Sequence, residues 1–302
     1  MFQFLRDFCD QDFDVAIFGL GFESRSVSAL EHFRYKISSV KVLGYHKNTD
    51  QFSYQANREI FKQYTDDIIE VCDDELPDTL DKMLFDFSSK PVHILIDITV
   101  MSRHRLATTL CKCFEHLKKD STVSIVYSLS NFIPPPDTVT PVRKVCEINN
   151  TLRGSLGDLG RPTSLVIGLG YEKGKALGIS HYLDSWRDYL LVPTSPIKEF
   201  EDHVLANNHD LIVQTPKERV LSYYVDNPYR TYLDLRSLTL SLKGSSRPIL
   251  VPLGPKILAA ICVLIGLEFT PEIAVWRVSS EYEETPIDRS FSGHQYKFSF
   301  RL

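Results

Sequence analysis

Residues Val15 to Glu23 read VAIFGLGFE, and residues Ser164 to Glu172 read SLVIGLGYE. Each is a short apolar run with β-branched side chains that ends in Gly-Leu-Gly-aromatic-Glu, and each leads into a helical pattern, Val27 to Phe33 and Ala176 to Tyr182. Both read as strand, tight turn, helix, at an offset of 149 residues (Val15 to Ser164).

Two further blocks repeat in the same order. Val92 to Thr99 (VHILIDIT) runs through Val100, Met101, Ser102 and Arg103 into an apolar helix at Leu106 to Phe114. Pro248 to Leu253 (PILVPL) runs through Gly254, Pro255 and Lys256 into Ile257 to Leu267. Ser124 to Ser130 (SIVYSLS) and Ile273 to Ser279 (IAVWRVS) then read as matching strands. Val40 to Tyr45 reads as a second strand of the first half, with Tyr189 to Val192 in the matching place. Three blocks in one order point to an internal duplication. Strands alternating with helical segments of about 10 to 15 residues imply right-handed crossovers and a largely parallel sheet. The expected fold class is therefore α/β, with two tandem duplicated Rossmann-like units, each with a mostly parallel sheet flanked by helices.

The expected domains are a first unit at 1–140, a connector at 141–162 and a second unit at 163–302 that ends in a terminal strand or hairpin. The connecting stretch Asn131 to Pro162 holds Pro134, Pro135 and Pro136 at one end and Gly154, Gly157 and Gly160 at the other, residues that resist continuing either element. Within it, Val142 to Leu152 has the pattern of a short helix. The tail from Glu281 to Leu302 carries alternating Tyr296, Phe298 and Phe300.

Composition narrows the class. With 302 residues, 43% hydrophobic and 24% charged, the chain is an ordinary globular protein rather than a disordered, collagenous or disulfide-stapled one. The net charge of -5 arises from 34 basic and 39 acidic residues mixed along the chain, so no footprint for duplex DNA appears. Met1 to Asp14 lacks the order of a signal peptide, and the longest apolar run, Ile257 to Leu267, is about half of the roughly 20 residues that a membrane span needs. A cytoplasmic protein with no membrane partner is expected. Cys9, Cys72, Cys111, Cys113, Cys146 and Cys262 are scattered, as thiols in a reducing compartment are, and no metal site is expected.

In an open parallel sheet, ligands bind outside the carboxyl ends of the strands, where loops enter helix N-termini. The repeated oddities of this chain fall at that edge: Gly19, Gly21, Gly168 and Gly170, followed by Phe22 and Tyr171 and by Glu23 and Glu172. Turn glycines after a first strand are also common for structural reasons alone, and Glu in a first turn also serves as a cap. Beyond the other strand, Ser102 with Arg103 and Gly254 with Lys256 put one cation each at a helix start. A cation there opposes the helix macrodipole by about 0.3–1 kcal/mol, a choice that makes sense where it holds an anion such as a phosphate; a solvated surface charge is the plain alternative. Arg25 has no cationic match at Gly174, although Lys173 and Lys175 are near. Asp97 lies in an apolar strand with Leu250 as its aligned residue, which makes it a structural anchor or a functional group of the first half alone. His181 lies within a helical pattern and reads as structural.

Sharper motifs fail. The dinucleotide fingerprint requires glycine where Ser24 and Lys173 stand, and Gly174-Lys175 is followed by Ala176, so neither it nor the NTPase phosphate loop is present. Nucleophile elbows and His or carboxylate pairs at metal spacing are absent too.

The segment Leu253-Gly254-Pro255-Lys256, with Ala259 and Ala260, resembles the glycine-threonine-lysine turn and helix of CARF domains, the CRISPR-associated Rossmann-fold sensors; Met101, Ser102, Arg103, Leu106 and Ala107 hold the same place in the first half. Two such turns form a pocket for cyclic oligoadenylate in CARF pairs, and SAVED domains look like two CARF units fused in one chain. The resemblance implies binding at Ser102, Arg103, Gly254 and Lys256, with Gly21, Phe22, Gly170 and Tyr171 from the first-strand turns. Pro255 replaces the threonine and the first half lacks the glycine, and no fused effector is expected.

The leading expectation is a sensor or regulatory subunit of prokaryotic antiviral defence that binds a nucleotide-type ligand, such as a cyclic oligonucleotide, in a cleft between its pseudo-symmetric halves. It would pass the signal to a separate effector protein, a nuclease being one candidate. Arg103 and Lys256 would hold phosphates, the glycine turns would offer N–H groups, and Phe22 and Tyr171 would stack on bases. One alternative is an enzyme that cleaves a phosphodiester or nucleoside bond in the same cleft, with Glu23, Glu172 or Asp97 as general acid or base. The other is a non-catalytic structural subunit of a larger complex. No cofactor is expected.

Overall fold

The computed structural model of the chain describes residues 2–135, 142, 144–155, 160–279 and 286–302. Elements β1 (Gln3–Phe4), β2 (Val15–Leu20), α1 (Ser28–Phe33), β3 (Val40–Tyr45), α2 (Tyr54–Lys62), β4 (Ile68–Val71), α3 (Leu76–Phe85), β5 (His93–Asp97), α4 (Arg103–His116) and β6 (Thr122–Ser130) come first. A second series follows: β7 (Lys144–Glu147), β8 (Thr163–Gly168), α5 (Lys175–Leu183), β9 (Arg187–Thr194), α6 (Lys198–Asn207), α7 (His209–Gln214), β10 (Val220–Tyr224), α8 (Pro228–Lys243), β11 (Arg247–Pro252), α9 (Lys256–Glu268) and β12 (Ala274–Ser279). The chain closes with β13 (Phe291–Arg301).

The strands form two sheets, in the orders β1-β13-β6-β5-β2-β3-β4 and β10-β9-β8-β11-β12-β7. Numbered within its own unit, each sheet holds parallel strands in the order 3-2-1-4-5, namely β4-β3-β2-β5-β6 and β10-β9-β8-β11-β12. Beside the fifth parallel strand each sheet adds an antiparallel one, β13 in the first and β7 in the second. The duplication read from VAIFGLGFE and SLVIGLGYE is thus a duplication of Rossmann-like topology.

The apolar runs follow from burial on both faces. On β2, Ala16, Phe18 and Leu20 join Ala29, Leu30 and Phe33 of α1 in one core cluster, while Val15 and Ile17, which alternate with them, are equally buried. On β8, Leu165 and Ile167, continued by Leu169, pack with Ala176 and Ile179 of α5 and Val204 of α6. The run Ile257 to Leu267 lies in α9, a helix buried from Ile257 through Gly266. No helix among the described residues is long and apolar enough to cross a membrane.

The domain boundaries differ from those expected. The compact units comprise Met1–Asn131 with Thr285–Leu302, and Phe132–Glu284. The tail therefore belongs to the first unit, into which the second is inserted between β6 and β13. The reason is apolar alternation: Tyr296, Phe298 and Phe300 are buried, Phe298 stacks on Phe4 at 4.8 Å, and Phe300 meets Phe2 at 5.5 Å and Phe114 at 5.7 Å. The connector is not a separate segment either. Val142 to Leu152, expected to carry a helix, supplies the edge strand β7, paired with β12, and a single 3-10 turn at Asn150–Leu152. Pro136 and Gly157 of the connector, and 281–285 of the tail, lie outside the described residues.

The sheet register also corrects one alignment. Asp97 pairs with Phe18, and Ile167, which matches Phe18, pairs with Val251. Val251, rather than Leu250, is the equivalent of Asp97: Asp97 stands six positions before Arg103, and Val251 five positions before Lys256.

Since Phe300 is fully buried in the first unit, Phe300→Ala should cost about 3–5 kcal/mol. Hydrogen exchange should then show protection lost in β1 and β6 and kept in β8 and β9. Loss confined to the second sheet would return the tail to the second unit.

Candidate functional site

In the first unit, β2 ends against the turn that follows β5. A Cβ on Gly19 would lie 3.0 Å from Val100 Cγ2, and one on Gly21 would lie 3.1 Å from Val100 Cβ, so any side chain there would need Val100 to give way by a few tenths of an ångström. The turn is satisfied from within. Ser26 Oγ donates to the Gly19 carbonyl at 3.0 Å and accepts the Gly21 N–H at 3.3 Å, while Asn57 Nδ2, from α2, donates to the Gly21 and Glu23 carbonyls at 2.9 Å each.

Glu23 and Arg25 are buried side by side. Arg25 Nε donates to Glu23 Oε2 at 2.6 Å, and its Nη1 donates to the Ser128 carbonyl of β6 at 2.7 Å. Burial alone would lower the Arg25 pKa, but Tyr127 and Glu23 outweigh it and the net shift is upward. The segment before β13 completes the arrangement: Asp288 Oδ1 accepts the Ser24 N–H at 2.7 Å, and Arg289 Nη1 lies 3.6 Å from Glu23 Oε1. The carboxylate of Asp288 thus occupies an amide that a bound anion would otherwise meet.

Asp97 is fully buried, and its Oδ1 accepts both the N–H and the hydroxyl of Thr99. The Thr99 hydroxyl oxygen in turn accepts the Ser128 N–H at 2.9 Å, so Asp97 ties the end of β5 to β6. Ser102 caps α4, accepting the Arg105 N–H at 3.1 Å, and its own N–H donates to Tyr45 Oη at 2.8 Å. Tyr45 Oη donates to the Val100 carbonyl at 3.1 Å; burial pushes the Tyr45 pKa up, against the opposing pull of Arg105. Arg103 is the first residue of α4 and half-buried.

The sequence reading missed Arg105. This buried guanidinium stacks 3.7 Å from the Tyr45 ring centroid and donates to Asp73 Oδ1 at 2.7 Å, to the Gly44 carbonyl at 2.7 Å and to the Val71 carbonyl at 2.5 Å. Arg105 joins α4 to the ends of β3 and β4. The run Arg103-His104-Arg105 held the signal, since residues two apart on a helix face about 200° away from each other.

In the second unit the turns approach backbone to backbone. A Cβ on Gly168 would lie 2.2 Å from Leu258 Cδ2, one on Gly170 2.8 Å from the Leu253 carbonyl oxygen, and one on Gly254 2.8 Å from the Leu169 carbonyl oxygen. The Gly168 carbonyl accepts the N–H groups of Leu253 at 2.8 Å and Gly254 at 3.1 Å. Asn208 Nδ2 donates to the Gly170 carbonyl at 2.8 Å and Asn207 Nδ2 to the Tyr171 carbonyl at 2.6 Å, repeating the part played by Asn57. Repetition at the two positions, Asn57 and Asn208, was the signal available and not used.

The units diverge beyond that point. Glu172 is half-buried, with Lys175 Nζ at 3.6 Å, and among the described residues of this unit no arginine is buried. Gly174 precedes α5 at a φ of 80°, a left-handed conformation suited to glycine. Lys256 opens α9 behind Pro255, as Arg103 opens α4 behind Ser102, and neither first turn carries an acid. His181 lies in α5, as its pattern implied. Away from this edge, Asp81, Glu115 and His116 cluster on α3 and α4, but Lys112 Nζ stands 2.8 Å from both Asp81 and Glu115 and supplies the positive charge.

Arg25→Ala leaves Glu23 buried beside a lost partner and should cost about 3–5 kcal/mol, whereas Arg103→Ala and Lys256→Ala should each stay within about 1 kcal/mol by thermal denaturation. Equal costs for all three would make Arg103 and Lys256 structural.

No family model matches the chain, and no curated protein matches it. Among solved structures, the cytoplasmic domain of a prokaryotic cation chloride cotransporter is similar over 88% of this chain and 95% of its own, at 10% identity and a TM-score of 0.23. A likeness of that strength carries no inference about function.

Proposed function

We propose that the chain binds a nucleotide-type ligand at the carboxyl edge of its sheets and acts as a sensor or regulatory subunit. One repeated observation carries the reading: in both units the helix after the fourth strand opens on a cation, Arg103 or Lys256, with no acid in its first turn. The macrodipole disfavours that choice twice over, and a bound phosphate reverses its sign by meeting the cation and the helix amides together.

The same geometry weighs against turnover by two of the candidate carboxylates. Glu23 is engaged by Arg25, and Asp97 by Thr99, both inside the first unit. The resemblance of the two turns to those of CARF and SAVED sensors supports a setting in antiviral defence, with the signal passed to a separate effector.

A thermal-shift screen of mononucleotides, dinucleotides and cyclic oligonucleotides tests the reading. A ligand at 100 times its dissociation constant should stabilise the protein by about 2.7 kcal/mol, be recovered intact, and lose its effect in the double variant Arg103→Ala/Lys256→Ala. A shift that survives the double variant rejects the assignment of these cations, and a ligand recovered cleaved makes the protein an enzyme.

A further inference from the structure

We propose that an aromatic pair at the carboxyl edge of each unit is a stacking subsite for a nucleobase, formed by Phe22 with Phe52 in the first unit and by Tyr171 with Phe200 in the second. The inference rests on the nucleotide reading above and assigns the part of the ligand that Arg103 and Lys256 do not contact.

The pairing repeats in both units. In each, the aromatic residue directly after the glycine turn of the first strand meets a ring delivered by the segment after the second strand. The centroids are 6.0 Å apart at an interplanar angle of 44° for Phe22 and Phe52, and 5.7 Å apart at 49° for Tyr171 and Phe200. The backbone holds each first ring in place: the Ser53 N–H donates to the Phe22 carbonyl at 3.0 Å, and Asn207 Nδ2 donates to the Tyr171 carbonyl. In the second unit the ledge widens, with Phe132 5.1 Å from Phe200 and His203 4.6 Å from Phe132. In sheets of this topology, ligands bind outside the carboxyl ends of the strands where the strand order reverses, and the first ring of each pair follows directly on the strand at that point.

Phe52 is the telling residue. It is 59% exposed and sits at a φ of 41°, in the left-handed region that a bulky side chain enters at a cost. The same loop places Asn48 at a φ of 59°, where a residue suited to that conformation is used. An exposed ring on strained backbone contributes little to folding, and its value lies in what it can touch. Stacking on such a ring tolerates any base, since every base has a π-face.

The test is calorimetric titration of the full-length protein with AMP, ribose 5-phosphate and adenosine. The double variant Phe52→Asn/Phe200→Leu keeps a left-handed-tolerant residue in the loop and apolar bulk on α6. It should bind AMP and adenosine about 10-fold more weakly and ribose 5-phosphate unchanged, and Phe52→Trp should retain AMP affinity. The single variant Phe52→Asn should melt no lower than the parent protein. AMP affinity unchanged in Phe52→Asn/Phe200→Leu overturns the stacking subsite while leaving the phosphate reading standing. Adenosine binding that needs Phe52 and Phe200, together with AMP binding indifferent to Arg103→Ala/Lys256→Ala, retains the subsite and overturns the phosphate reading. Failure of AMP and adenosine to bind the parent protein overturns the subsite.

Discussion

Between the first and fourth strands of each sheet the chain must bring two turns into near contact at the point where the strand order reverses. In the second unit the gap is so small that a methyl group on Gly170 or Gly254 would press on the opposite carbonyl oxygen at 2.8 Å. In the first unit the gap is filled by Val100, which touches the place where a Cβ of Gly19 or Gly21 would be. The rest of each carboxyl edge depends on this approach: it sets where the helix after the fourth strand begins, and therefore where Arg103 and Lys256 stand.

A tight turn buries carbonyls as well as excluding side chains, and buried carbonyls need donors. Both units answer with asparagine from the helical segment after the second strand, Asn57 in one and Asn208 in the other. They part company in their charges. The first unit builds a buried network in which Glu23, Arg25, Asp97 and Arg105 are tied to backbone or to one another, and Asp288 from the returning tail closes the amide of Ser24. The second unit leaves Glu172 half-buried with Lys175 as its neighbour. A duplicated fold has thus been stabilised by polar means in one copy and by close backbone packing in the other.

That asymmetry places the shared features in relief. The two copies retain in common at this edge the glycine turn, the aromatic residue and glutamate after it, the asparagine that satisfies the turn, the ring that meets the aromatic residue, and the cation at the start of the later helix. Charges that support one copy's own fold, such as Arg25, are not repeated, because a buried ion pair is tolerated only where its whole surroundings are arranged for it.

The sequence by itself determined the duplication and the sheet class. VAIFGLGFE and SLVIGLGYE, the two apolar runs of the fourth strands and the helix Ile257 to Leu267 are local patterns, and local patterns report strand, turn and helix directly. The tertiary structure alone decided three things. It assigned β13 to the first unit, because strand pairing is a contact between residues far apart in the chain and the Tyr296, Phe298 and Phe300 alternation names a buried face without naming the sheet. It turned Arg25 and Glu23 into internal supports and brought forward Arg105, because a charge in a string of letters has no depth, and depth decides whether it meets solvent, a ligand or another charge. And it joined Phe22 to Phe52 and Tyr171 to Phe200, since the second ring of each pair arrives on a loop or helix whose path only the folded chain defines.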